Sequence, residues 1–250
     1  MSIIMNEDLQ GIIQDYICDF NKKKSLPYVV DTTPVVWFGD IEKYEQSEVK
    51  VVTVGINPSS HEFPEPPECP RFSIPTVLNA DDLYNANNEY FIKNPYKWFN
   101  RYERIISDNF DCSYGGKIGL RKRNIAIHID AYTAIATNPF WGKLTKKEKE
   151  TVKNTELFNR LLAYLKPDVI LFSANEDLFN ELFSGYTKNR PDLQYENHNK
   201  RSYIRTYSKD GTLLFWGRNH GDPFAHMTTD EIKTEIDGFK KNGIEKIYKR

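Results

Sequence analysis

The stretch KVVTVGINPSSHEF, Lys50 to Phe63, opens on a β-branched run and then breaks sharply through Gly55, Asn57 and Pro58. A short apolar run closed by Gly and Pro reads as a strand buried on both faces. It predicts a core strand over Val49–Val54, with an asparagine fixed at its carboxyl end. Two further runs read the same way, RNIAIHID (Arg123–Asp130) and PDVILFSA (Pro167–Ala174). Val35–Phe38 reads as a short strand or a turn. Helical periodicity covers Asn6–Lys23, Tyr96–Phe110 and Asn175–Phe183, and Leu144–Leu165 reads as one long helix N-capped at Thr145. SYIRTYS and GTLLFWG read as a hairpin closed at Lys209–Gly211, and Thr228–Lys241 as a last helix.

Helices alternating with apolar strands imply an α/β fold, three-layer αβα, around a twisted and mostly parallel central sheet. There is no repeat and no flexible linker, so residues 1–250 read as a single domain. Residues 1–45 form an N-terminal helical extension in this reading, and 60–95 a long loop suited to lining a substrate pocket.

Composition removes several classes. The formal net charge is −1, so a nucleic-acid partner is not signalled by overall charge and needs a local basic patch. Cys18, Cys69 and Cys112 lie far apart without a CxxC pair, the pattern of reduced thiols rather than of a disulfide frame, zinc site or iron–sulfur cluster. Neither a leader-like N-terminus nor a run of about 18 apolar residues occurs, so no membrane association and a cytoplasmic, monomeric protein are expected.

In a parallel sheet, ligands bind beyond the carboxyl ends of the strands. Three such ends are chemically loaded here: GINPSS (Gly55–Ser60), HIDAYTAIATNPFWG (His128–Gly142) and WGRNHGDPFAH (Trp216–His226). Taken singly, Asn57 is a turn former, Asp130 a helix cap and His220 a loop histidine. Together they are far more specific.

The combination resembles the uracil-DNA glycosylase superfamily. GINPS is similar to the GINPG motif of the mismatch-specific and thymine-DNA branch, and NHGDPFAH to the HPSP motif with its following wedge residue. Gly221 and Asp222 stand where that motif has Pro-Ser. AIHIDAYTAIATNPFWGKLT is similar to the middle strand of the single-strand-selective branch, so the resemblance runs over roughly Val49–Met227.

The resemblance implies a DNA glycosylase that everts a pyrimidine nucleotide and hydrolyses its N-glycosidic bond without a cofactor or metal. Asn57 then orients the attacking water and His220 donates to the pyrimidine O2 as charge develops. Phe72 falls at the position of the aromatic that stacks on the flipped base, although an ordinary loop anchor is an equal reading. Phe224 matches the wedge that fills the vacated stack. Arg218 and the run Arg121, Lys122 and Arg123, with Lys143, Lys146 and Lys147, are candidate phosphate contacts.

Asp130 stands where uracil readers carry Asn; a carboxylate accepts from a cytosine N4 amino group and offers nothing to O4. Ser59 replaces the bulky Tyr that blocks a 5-methyl group, leaving room for a 5-substituent. Together they point to a 5-modified cytosine, hydroxymethylated or glucosylated, of the kind found in some phage genomes. If Asn138 is the reader instead of Asp130, uracil returns as the favoured base, and a repair glycosylase for uracil or mismatched thymine is the alternative. Two other readings are a catalytically weak sensor of modified DNA and a metal-dependent nucleotide hydrolase built on Asp130 and His220.

Overall fold

Val51, Val52, Thr53 and Val54 have no exposed surface, as a strand with β-branched side chains on both faces requires. They form β1 (Val51–Gly55) of a computed structural model that describes residues 5–64, 71–75, 77–117, 119, 121–188, 193–197, 200–217, 230 and 233. The further strands are β2 (Cys112–Ser113), β3 (Asn124–Ile125), β4 (Ile127–Asp130), β5 (Val169–Ser173), β6 (Thr187–Lys188), β7 (Leu193–Asn197), β8 (Lys200–Lys209) and β9 (Thr212–Gly217). Seven of them make one sheet in the order β4-β1-β5-β9-β8-β6, with β7 also on β8, while β2 and β3 pair separately. β1, β5 and β9 run parallel, and β8 returns antiparallel to β9 through Asp210 and Gly211, both at positive φ. The result is an α/β fold whose mostly parallel central sheet is flanked by helices, in keeping with the three-layer αβα expectation.

The helices are α1 (Glu7–Lys23), α2 (Ile41–Gln46), α3 (Ala80–Asn88), α4 (Asn100–Phe110), α5 (Lys146–Val152), α6 (Thr155–Leu165) and α7 (Glu176–Phe183). None among the described residues is long and apolar enough to cross a membrane. The chain divides into two compact units, one drawn from residues 1–41, 55–96 and 128–166, the other from 42–54, 97–127 and 167–250.

In the second unit, adjacent residues of β9 show both faces of the sheet being covered. Phe215 meets Phe110 of α4 at 6.0 Å, and Trp216 stacks on Phe179 of α7 at 4.7 Å. Successive side chains on a strand point oppositely, so the two helices lie on opposite faces. In the first unit, α1 buries Leu9, Ile12, Ile13, Tyr16, Ile17 and Phe20, the stripe its periodicity predicts, and packs on α3 and α6.

Two expectations change. Leu144–Leu165 is not one helix but two, separated at Lys153 and Asn154. Asn154 caps α6 by accepting from Leu157 N–H, while its own N–H donates to the Tyr132 carbonyl at 2.6 Å and its Nδ2 to Asp19 at 2.9 Å. Those three bonds accompany a non-helical backbone at Asn154, with φ −152° and ψ 76°. The expected cap at Thr145 is present as a full capping box with Glu148.

The 60–95 segment is also not simply a loop, for it contains α3, capped by Asn79 through Asp82 N–H. Its asparagines are structural. Asn87 is fully buried and its Oδ1 accepts from both Val36 N–H and Trp37 N–H at 3.0 Å, while Asn88 accepts from Trp37 Nε1 and Ile41 N–H. Asn87→Ala is therefore expected to orphan two backbone donors. At about 1–3 kcal/mol for each, it should rank among the most destabilising single changes outside the sheet, as read by urea denaturation; a cost under about 1 kcal/mol would refute that account. The last expected helix, Thr228–Lys241, lies outside the described residues apart from positions 230 and 233.

Candidate base-reading site

Gly55 explains why the core strand must end in glycine. A Cβ there would lie 2.2 Å from Asp130 Oδ1 and 2.7 Å from His128 Nε2. The bare backbone lets the ends of β1 and β4 close together, with Ala131 N–H donating to Gly55 O and Tyr132 N–H to Ile56 O.

Asn57 follows, half-buried. Its Nδ2 donates to Pro58 O at 2.8 Å and to Thr137 Oγ1 at 3.1 Å. Because a carbonyl oxygen only accepts, the first of these bonds fixes which end of the amide is nitrogen. Oδ1 is thereby set as the group's acceptor, the orientation needed to hold a water by its hydrogen. Thr137 is the hub of this corner. It is fully buried and bridges in parallel to Ser59 and antiparallel to Val29. Ser59 is half-buried, its Oγ accepting from His61 N–H at 3.2 Å to cap the short turn Ser60–Glu62.

Asp130 is 7 % exposed at the end of β4. Burial pushes its carboxyl above the ordinary range, and His128 opposes the rise through hydrogen bonding and charge. His128 Nε2 stands 3.6 Å from Asp130 Oδ1, too long for a strong hydrogen bond but close enough for charge to be felt. His128 is itself buried, its backbone exchanging two bonds with Phe38 and its ring tilted against that phenyl at 5.5 Å. Asn138, the alternative reader, is solvent-exposed on the loop beyond, with its backbone N–H on Tyr28 O. Of the two, Asp130 is the one set against the GINP turn.

Phe72 is fully buried among Phe38, Phe63 and Tyr90, with ring centroids 6.5, 6.0 and 6.3 Å away. A ring with no exposed face cannot receive a base, and this packing is that of a loop anchor. Beside it lies a group that the sequence reading passed over. Glu62 is 3 % exposed, and its Oε2 accepts from Tyr90 hydroxyl at 2.6 Å. Burial pushes its carboxyl up to about 8, against the Tyr90 hydrogen bond and the Arg71 charge, with Asp130 adding to the rise. His128 could have been found from the sequence, because it precedes Asp130 by two on one strand and so shares its face. Glu62, an acid in a polar loop, carried no comparable signal.

His220, Arg218 and Phe224 lie outside the described residues. Among the described residues, β9 ends at Gly217 opposite Ser173, one step beyond the Phe172 that pairs with Val54. Of the basic run, Lys122 stands 3.9 Å from Asp111 and Arg123 pairs with Glu48, whereas Arg121 is exposed. Two of those three cations are thus partly neutralised by carboxylates. Lys143, Lys146 and Lys147 are exposed.

No protein-family model matches this chain, and no curated protein matches it either.

Proposed function

We propose that this chain is a monofunctional DNA glycosylase that excises a 5-modified cytosine and leaves an abasic site. The observation that carries the reading is the corner where β1 and β4 end. There an amide locked by Pro58 O and Thr137 Oγ1 lies on the GINP turn, and a buried carboxyl abuts Gly55 of the same turn. Asn57 orients a water toward the sugar C1′; the amide has no basic site near neutral pH, so its contribution is position rather than proton abstraction. His220 donates to O2 of the departing base, where negative charge collects. Asp130 accepts from the N4 amino group, and Ser59, a small residue, leaves space beside C5. Phe224 occupies the vacated stack, and Arg218 and Arg121 meet phosphates. No cofactor is needed.

The test is an oligonucleotide panel bearing uracil, mismatched thymine, cytosine, hydroxymethylcytosine or glucosylated cytosine, treated with protein and then alkali. Strand scission at a modified cytosine is expected. Asn57→Ala should slow it about a hundredfold, the effect of losing a positioned reactant. Scission that is undiminished in this variant would remove Asn57 from the mechanism, and scission at uracil alone would defeat the assignment of Asp130.

A further inference from the structure

Arg71 is half-buried, and its guanidinium is fixed at two points. Its Nε donates to His61 O at 3.0 Å, and its Cζ lies 5.2 Å from the centroid of the Tyr96 ring. The exposed His61 imidazole packs on that same ring, with centroids 5.6 Å apart and planes tilted by 32°. Backbone bonds brace the cluster. Arg71 N–H donates to Glu62 O at 2.9 Å, and Tyr96 N–H to the Tyr90 hydroxyl oxygen at 3.0 Å. The Tyr90 hydroxyl in turn donates to Glu62 Oε2 at 2.6 Å.

A carbonyl and a ring thus hold the stem side of the guanidinium, while its Nη groups have no partner among the described residues. Glu62 feels the Arg71 charge, yet its carboxyl is 3 % exposed and engaged by Tyr90. We infer that Arg71, seated on Tyr96 with His61 beside it, is a phosphate-binding site whose ligand is a phosphodiester of the DNA strand next to the everted nucleotide. The assignment rests on the glycosylase reading above and extends it to a contact outside the basic run and Arg218.

A planar fork whose stem is anchored presents parallel N–H groups, the complement of two phosphate oxygens. Anchoring also reduces the rotamer entropy that a free surface arginine loses on binding. The Tyr96 hydroxyl and a ring N–H of His61 are further donors, the kind that position a backbone without reading its sequence.

The place of the cluster follows from a bonded path. Thr137 Oγ1 holds the Asn57 amide, Thr137 bridges to Ser59, and Ser59 Oγ accepts from His61 N–H at 3.2 Å. The path ends on the residue whose carbonyl anchors Arg71. His61 follows Asn57 by four residues, a reach of at most about 14 Å. Phosphates flanking a nucleotide held at the Asn57 corner lie within that range.

The test is equilibrium binding of a labelled oligonucleotide carrying unmodified cytosine, followed by fluorescence anisotropy over a range of salt. Arg71→Gln should weaken binding about tenfold and flatten the plot of log affinity against log salt by about one unit. The loss should be equal for every base in the panel, because a phosphate contact carries no sequence information. Arg71→Lys keeps the charge without the fork, so it should restore the salt slope but not the full affinity. Tyr96→Phe keeps the ring beneath the guanidinium and should cost about threefold or less.

Neutral methylphosphonates, placed one at a time around the target nucleotide, should reveal one position at which wild type and Arg71→Gln bind equally. Should Arg71→Gln fail to fold, Arg71→Lys and the same phosphonate scan decide by the same criterion. Inorganic phosphate, titrated at constant ionic strength, separates the two sources of the group. Tight phosphate binding that is lost in Arg71→Gln, with DNA affinity unchanged, would overturn the DNA assignment. If wild type shows the Arg71-dependent slope yet cleaves none of the panel, the excision reading fails and the phosphate contact stands. If wild type cleaves while Arg71→Gln keeps its affinity and slope, Arg71 is only a staple of its loop and the site is overturned.

Discussion

Asp130→Asn is expected to transfer excision from hydroxymethylcytosine to uracil. The side chain keeps its volume and its place against Gly55, but one carboxylate oxygen becomes an amino group. That amide donates to O4 of uracil and can accept from N3–H, whereas toward cytosine N4 it presents one acceptor fewer. A well-placed base-edge pair is worth about 1–3 kcal/mol of discrimination. The ratio of single-turnover rates on the two oligonucleotides should therefore move by about one to two orders of magnitude. Asp130 sits at 7 % exposure, where burial pushes its carboxyl up and disfavours the charged form. An amide that cannot ionise should accordingly make the thermal midpoint less sensitive to rising pH than in wild type, even as specificity changes. Unaltered base preference, with a folded variant, would show that Asp130 does not touch the base.

Gly55→Ala is expected to be the most damaging single methyl that can be added near this corner. Its Cβ would meet Asp130 Oδ1 at 2.2 Å and His128 Nε2 at 2.7 Å, and both side chains are buried with little room to retreat. Overpacking of this kind costs about 1–3 kcal/mol, so urea midpoints should fall with an unchanged m-value. If Asp130 reads the base as proposed, activity should suffer more than stability does, because the closest clash is with the Asp130 carboxyl itself. A variant as stable and as active as wild type would mean that the two strand ends separate freely, and would remove the basis for treating Gly55 and Asp130 as one corner.

Much of the architecture was legible because burial and periodicity coincide. The β-branched run at Val51–Val54 has no other economical fate, and the six apolar positions of α1 fall on one face. Where the reading failed, a side chain competed with the backbone. Asn154 divides a charged helical stretch because its amide reaches Asp19, far away along the chain, and no local propensity encodes that partner. Asn87 reads as a polar loop residue yet serves as a buried acceptor for two N–H groups contributed by residues 36 and 37. At the site, Asn57 and Asp130 could be singled out because each ends an apolar run. Thr137 and Glu62 could not, since their importance comes from what is folded against them. Phe72 was ambiguous in the sequence, and its complete enclosure by other rings favours the anchoring role.

One contact pattern bears on how the chain can be cut. The segment from Tyr28 to Phe38 is stitched along residues 128–138 by Phe38 and His128 in both directions, Val35 to Ala134, Val30 to Ala136 and Asn138 to Tyr28. Residues 28–38 are therefore a strap over the stretch that leads out from Asp130. A fragment beginning near residue 45 would keep Asn57 and Asp130 and yet lose the belt that lies along the stretch following Asp130.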